Sequence, residues 1–205
     1  MIRIALFALT IFVLAGLKSH AISDTIPYAM LDTAKVWKSV EAALKCQYPV
    51  YRLDLSGKRL KEVPPEVFQL KNLQELILDK NKLSELPAAL SNLKNLQRLS
   101  AAHNHLEEFP VAVCNLKNLR RIDFSDNEIS KLPDEIHRLQ KLEELILWSN
   151  IIGYYPGTMM RLTNLKLLDL MHNEMSVNEQ ERIFNMFPEV DVKVSPPCNC
   201  TFDDE

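Results

Sequence analysis

The 205-residue sequence lacks any surplus of positive charge, with 24 lysines and arginines against 27 acids. A chain without a basic excess offers no counterion-releasing surface for phosphate backbones, which excludes nucleic acid as a partner. Long apolar runs are also missing: the single candidate, Ile4 to Leu17, is interrupted by Thr10 and Gly16. A comfortable bilayer span needs about 20 residues. Cysteine is scarce, and the triplet Leu14-Ala15-Gly16 is followed by Leu17 where a lipid-bearing cysteine would have to stand. No lipid anchor is expected.

What that short run does fit is export. Arg3 supplies a basic start, the apolar stretch follows, and Ser19-His20-Ala21 ends it with small residues, which is the layout of a secretory signal peptide. Cleavage is expected after Ala21, with an uncleaved N-terminal anchor as the alternative. The mature chain would carry 22 basic and 27 acidic residues, a formal charge of −5, and would be secreted, periplasmic or held at the cell surface without a membrane anchor of its own.

Beyond residue 49 the chain repeats itself. LQELILDKNKLSELPAALSNLKN (73–95), LQRLSAAHNHLEEFPVAVCNLKN (96–118), LRRIDFSDNEISKLPDEIHRLQK (119–141) and LEELILWSNIIGYYPGTMMRLTN (142–164) align with a period of 23 and no insertion. A degenerate copy at 50–72 precedes them and a divergent one at 165–187 follows, giving six units.

Each column has a physical role. Leu53, Leu76, Leu99, Ile122, Leu145 and Leu168 pair with Leu55, Leu78, Ala101, Phe124, Leu147 and Leu170 in L-x-L, the alternation of a strand with one buried face. Ala101 beside Phe124 predicts that the ring fills volume left by a missing leucine. Asn81, Asn104, Asn127, Asn150 and Asn173 recur where the chain leaves the strand, and an amide can satisfy backbone groups of the turn and of the next repeat. Lys58 replaces it in the first unit. Pro64, Pro87, Pro110, Pro133 and Pro156 open the second half of each unit and favour short 3₁₀ turns over long helices.

These columns reproduce L-x-x-L-x-L-x-x-N-x-L, and the chain resembles the leucine-rich repeat family. The 23-residue length and the Leu-Pro pair resemble exported bacterial members and Ras-suppressor-like repeats. The resemblance implies an α/β solenoid: a right-handed leucine-rich repeat horseshoe with a parallel concave β-sheet, about six repeats, an N-terminal helical cap and a C-terminal helix and strand cap. The expected divisions are a signal peptide at 1–21, a cap at 22–49, repeats at 50–187 and a cap strand and tail at 188–205.

Solenoid ends must be covered. Ala34, Trp37, Val40 and Leu44 stand at helical spacing, which predicts a cap helix over 32–45 with Trp37 in its core. At the other end Ser176 to Glu179 forms a capping box for a final helix, and EVDVKV reads as a last strand.

No catalytic constellation assembles, and no cofactor or metal is expected. His103 and His172 share a column but lie three units apart, roughly 14 Å at the spacing of parallel strands. Of the four cysteines, Cys114 reads as a free, partly buried thiol; Cys46, Cys198 and Cys200 lie at the two ends, and Cys198-Asn199-Cys200 offers two ligands where zinc needs four. Asn199-Cys200-Thr201 satisfies the glycosylation sequon.

Recognition is sought on the strand face, where residues before, between and after the two leucines point outward. Most are charged or small. Ile146, Trp148, Leu167 and Met171 depart from that, with Arg121, Asp123, Asp126 and Asp169 as a charged surround, the composition of an interface anchor and its rim. The competing reading packs the apolar group under the C-terminal segment. The expected function is a monomeric, non-catalytic module that binds a protein through its concave face, a glycan ranking behind. The alternatives are a secreted inhibitor of a hydrolase and a self-associating structural element of a cell surface.

Overall fold

The computed structural model describes residues 25–196. The expected signal peptide, Cys198, Cys200 and the sequon at Asn199 lie outside the described residues.

Every L-x-L motif forms a three-residue strand: β2 (Arg52–Asp54), β3 (Glu75–Ile77), β4 (Arg98–Ser100), β5 (Arg121–Asp123), β6 (Glu144–Ile146) and β7 (Leu167–Asp169). They pair in parallel with a shift of one repeat, so that Leu53, Leu76, Leu99, Ile122, Leu145 and Leu168 stand side by side, all buried. Two further strands, β1 (Val36–Trp37) and β8 (Asp191–Lys193), extend the sheet to eight strands in sequence order. With one face turned into the core, the short period-2 segments need only a return path of constant length, which the 23-residue unit supplies.

The asparagine column closes each turn, and it reaches backwards. The Nδ2 of Asn104 donates to Ala101 O in its own repeat (3.0 Å) and to Leu78 O in the preceding one (3.0 Å), while its Oδ1 accepts from Leu83 N (3.0 Å). Asn81, Asn127, Asn150 and Asn173 repeat the pattern. The bonds therefore run to the preceding repeat, not to the next as the sequence suggested. That direction explains Lys58: the first unit has no earlier turn to satisfy. One residue before each asparagine the backbone is left-handed, with φ near +55° at Lys80, His103, Ser149 and His172.

Each proline caps a 3₁₀ segment, at 65–69, 88–92, 111–115, 134–138 and 157–161. These bury Val67, Leu90, Val113, Ile136 and Met159 against the strand leucines. Ala101 and Phe124 are both fully buried, and the Phe124 ring meets Phe109 with centroids 5.4 Å apart. The volume that Ala101 leaves is thus filled by two rings, Phe109 from its own repeat and Phe124 from the next.

The N-terminal cap departs from the helix expected over 32–45. Residues Tyr28–Thr33 form a 3₁₀ turn, Trp37 belongs to β1, and α1 is limited to Val40–Leu44, where Ala43 is buried and Leu44 exposed. Sheet pairing with Arg52 and Leu53 wins over helical spacing, because an added strand covers the end of the sheet and a helix there would leave its edge unpaired. Trp37 still packs on the core, with the Lys35 ammonium 3.6 Å from its ring centroid. At the far end, α2 (Val177–Met186) begins with the reciprocal Ser176–Glu179 capping box, as its sequence predicts.

Candidate functional site

The first residue of each strand lies along the rim where the chain enters the sheet. On repeats one to three this column is Arg52, Glu75 and Arg98, and a segment of the chain lies over it. Arg98 holds Asp32 through both terminal guanidinium nitrogens, Nη1 and Nη2 (2.7 and 3.0 Å), and Glu75 at 3.2 Å, and Glu75 also pairs with Arg52. Tyr28 stacks on Arg98 and Arg120, with 4.9 and 5.1 Å from its ring centroid to the guanidinium carbons. The Glu75 side chain is left 7% exposed, whereas Arg121 in the fourth repeat, beyond this strap, is 38% exposed. The rim of the strand face over repeats one to three is therefore covered by the chain itself.

Trp148 lies on the strand face beyond the strap, in the fifth repeat. Its ring leans toward the N-terminal side and meets the edge of His103, two repeats back, at 6.0 Å between centroids. Ser125 and Ala102, which precede it in its column, are both buried, while Ser56 and Asp79 at the start of the same column are partly exposed. The indole is half-buried. The described C-terminal segment runs beside β7 as β8, with Ser195 Oγ accepting from His172 N (2.7 Å), and so extends the sheet.

The other predicted site residues divide. Ile146 is only 8% exposed and stands between Asp123 and Asp169 in register, so it has little area left to offer. Leu167 is half-buried beside Glu144, and Met171 is exposed. Arg121 pairs with Glu144 and lies 3.6 Å from Asp123. Asp123 accepts from the Ser125 hydroxyl (2.6 Å), Asp169 from Met171 N (3.1 Å), and Asp126 from Ser149 Oγ (3.2 Å) and His103 Nδ1. Trp148, His103, Asp126 and Ser149 form the connected part of the site.

A shallow depression of about 240 Å³ lies on the strand face of repeats two to four, lined by Ile77, Asp79, Ser100, Arg121 and Asp123 among others. Burial pushes the Asp79 carboxyl above its ordinary range; bonds from Ser100 Oγ and Ala102 N oppose this, and Asp123 and Asp54 nearby reinforce it. Even on this outward face, burial is enough to act on a carboxylate at Asp79. Cys114 is fully buried, and burial raises its thiol to about 12, which leaves it an inert core residue. Among the described residues no three His, Cys, Asp or Glu side chains are placed to hold a metal ion.

Sequence reasoning missed the strap residues Tyr28, Leu31 and Asp32, and also the lateral side of repeat five. Ile151 and Tyr154 are exposed there in columns that hold only charged or histidine side chains in the four preceding units, and Val177 lies exposed in the column of Tyr154 one repeat on. A column-by-column comparison would have found them.

Family models described as leucine-rich repeats match residues 49–106 and, as two copies, 94–136. No curated protein matches the chain. Among solved structures it is similar to a leucine-rich repeat protein of Leptospira interrogans, at 35% identity over 70% of this chain and 36% of that one, with a TM-score of 0.63. It is also similar to internalin C2 of Listeria monocytogenes, at 25% identity over 74% of this chain and 64% of that one, TM-score 0.63. A second internalin of that organism, inlF, shares the fold at 19% identity over 72% of this chain and 50% of its own, TM-score 0.54. The chain spans about a third to just under two thirds of the length of these proteins.

Proposed function

The chain is a leucine-rich repeat protein, and from that premise we propose that it is an exported, non-catalytic module that binds a protein partner at Trp148 on the strand face beyond the strap. Solenoids of this kind use their extended concave surfaces for binding. The observation that carries the reading is the contrast along the sheet: the strap covers the rim of repeats one to three, while repeats four to six leave a half-buried indole beside a charged surround. Aromatic anchors with a polar rim are where interfaces concentrate their energy.

If about 100 Å² of the indole remains to be buried, contact with a partner contributes about 2.5 kcal/mol before association costs. Trp148→Ala should then weaken the partner at least tenfold while the chain stays folded. Affinity capture with unmodified and Trp148→Ala baits tests this, with circular dichroism of both. Binding that survives while stability drops would make Trp148 a roof over Ser125 and nothing more. Export has its own check: N-terminal sequencing of the exported protein should begin at Ile22, and retention of Met1 would exclude cleavage.

Self-association through the sheet ends is disfavoured by the ends themselves. β1 has two residues, and β8 exposes Asp191 and Lys193 on either side of its single half-buried Val192. Short, charged edge strands resist pairing with another copy.

A further inference from the structure

The strap engages its seat as a bound peptide would. In the orientation that satisfies both groups, the Gln74 amide accepts from Ile26 N (2.7 Å) and donates to Ile26 O (3.1 Å). This is a side chain reading the backbone just ahead of the 3₁₀ turn. Two residues on, Tyr28 lies against Arg98 and Arg120; Leu31 is fully buried without joining the repeat core; and Asp32 takes the Arg98 fork. Arg52 Nη1 closes the run by donating to Asp32 O (3.0 Å). The segment contacts repeats one to four through side chains and leaves their strand ladder intact.

The geometry points to a second binding site: the rim of repeats one to four accepts a peptide that turns as a short 3₁₀ helix and carries an aromatic residue, a leucine three positions later on the same face and a carboxylate directly after it, and residues 26–34 fill it in cis. Charge complementarity fixes the class of ligand, since the three guanidinium groups of Arg52, Arg98 and Arg120 face the strap against two carboxylates, Glu75 and Glu143, that pair with them. The resident segment also fits imperfectly, because Arg98 Nε is buried with no hydrogen-bond partner. A ligand with one more acceptor at that point would fit better. Occupation in cis has a kinetic consequence: a short tether gives an effective concentration on the order of millimolar, so a free peptide at micromolar levels does not displace the intact strap.

The probe is a fluorescein-labelled peptide of residues 25–34, TIPYAMLDTA, titrated into the full chain and followed by anisotropy. Leu31→Ala with Asp32→Ala in the protein should loosen the strap and tighten peptide binding at least tenfold over the unmodified chain. Adding Arg98→Ala should abolish that gain, whereas Trp148→Ala should leave it untouched, which separates this site from the one proposed above. Equal affinity for loosened and unmodified protein, no binding to the loosened protein, or indifference to Arg98→Ala would each overturn the proposal. Where the leucine substitution disturbs folding, Tyr28→Ala with Asp32→Ala leaves the buried side chain in place and carries the same comparison.

Discussion

Replacing Asn127 by alanine removes one amide that serves two repeats at once. Its Oδ1 accepts from Leu106 N (3.0 Å), and its Nδ2 donates to Ala101 O (3.0 Å), Phe124 O (3.1 Å) and Ser125 O (3.1 Å). The losses are unequal. Ala101 O keeps the Asn104 amide and Phe124 O keeps that of Asn150, each at 3.0 Å, whereas Leu106 N loses its acceptor inside the core. An orphaned buried amide costs about 1–3 kcal/mol and the thinned carbonyls add to it, so the whole change should be about 2–4 kcal/mol. At a urea slope of about 2 kcal/mol per M, the unfolding midpoint falls by about 1–2 M. Asn127→Asp sharpens the test. The introduced carboxylate still accepts from Leu106 N but confronts three carbonyl oxygens, so at neutral pH it should be worse than alanine. Its pKa would be raised in the folded state, and stability should return as pH falls through that value. Urea titrations of the three proteins by circular dichroism, at neutral and acidic pH, decide the matter. A midpoint for Asn127→Ala within about 0.3 M of the parent, on that same slope, would refute the two-repeat role.

Two further outcomes follow from the packing and charge. Phe124→Ala should cost about 3–5 kcal/mol, because Ala101 on one side cannot expand into the space and Phe109 loses its ring partner; an unchanged denaturation midpoint would contradict this. Asp79 works in the opposite sense: its raised pKa means the folded chain holds the proton longer, so stability declines as pH rises from 3.8 through the folded value. Asp79→Asn, which keeps an acceptor for Ala102 N, should be at least as stable as the parent at neutral pH and should flatten that decline. Melting temperatures across the acid range check it, and a less stable variant at neutral pH would count against the desolvation account.

The repeats were legible because every unit states the same requirement at the same position. Leu53 to Leu168 name the strands, Asn81 to Asn173 the turns and Pro64 to Pro156 the 3₁₀ entries, and a misreading of one copy is corrected by five others. The caps have no such redundancy. Ala34, Trp37, Val40 and Leu44 do stand at helical spacing, but a two-residue strand is too short to announce itself by alternation. The strap was beyond reach for a different reason. Tyr28 and Asp32 gain meaning only from Arg98 and Arg120, residues 66 to 92 positions away whose nearness is a product of the finished stack. At the candidate site, the column reading placed Trp148 on the open face but could not give its lean toward His103, which depends on the small Ser125 and Ala102 between them.

The shared asparagine bonds also restrict how such a chain can change in length during evolution. Each strand-end carbonyl from Leu55 to Leu147 is held from the next repeat by an amide 26 positions further on, and each asparagine oxygen bonds an amide 21 positions behind. A single residue inserted in the turn between the two partners, such as Leu78 and Leu83 for Asn104, shifts one hand of the clasp and not the other. Duplication of a complete unit shifts neither. A solenoid of this kind can thus lengthen or shorten by whole 23-residue steps without breaking a clasp, while the turn that holds both partners of each asparagine tolerates no change of length.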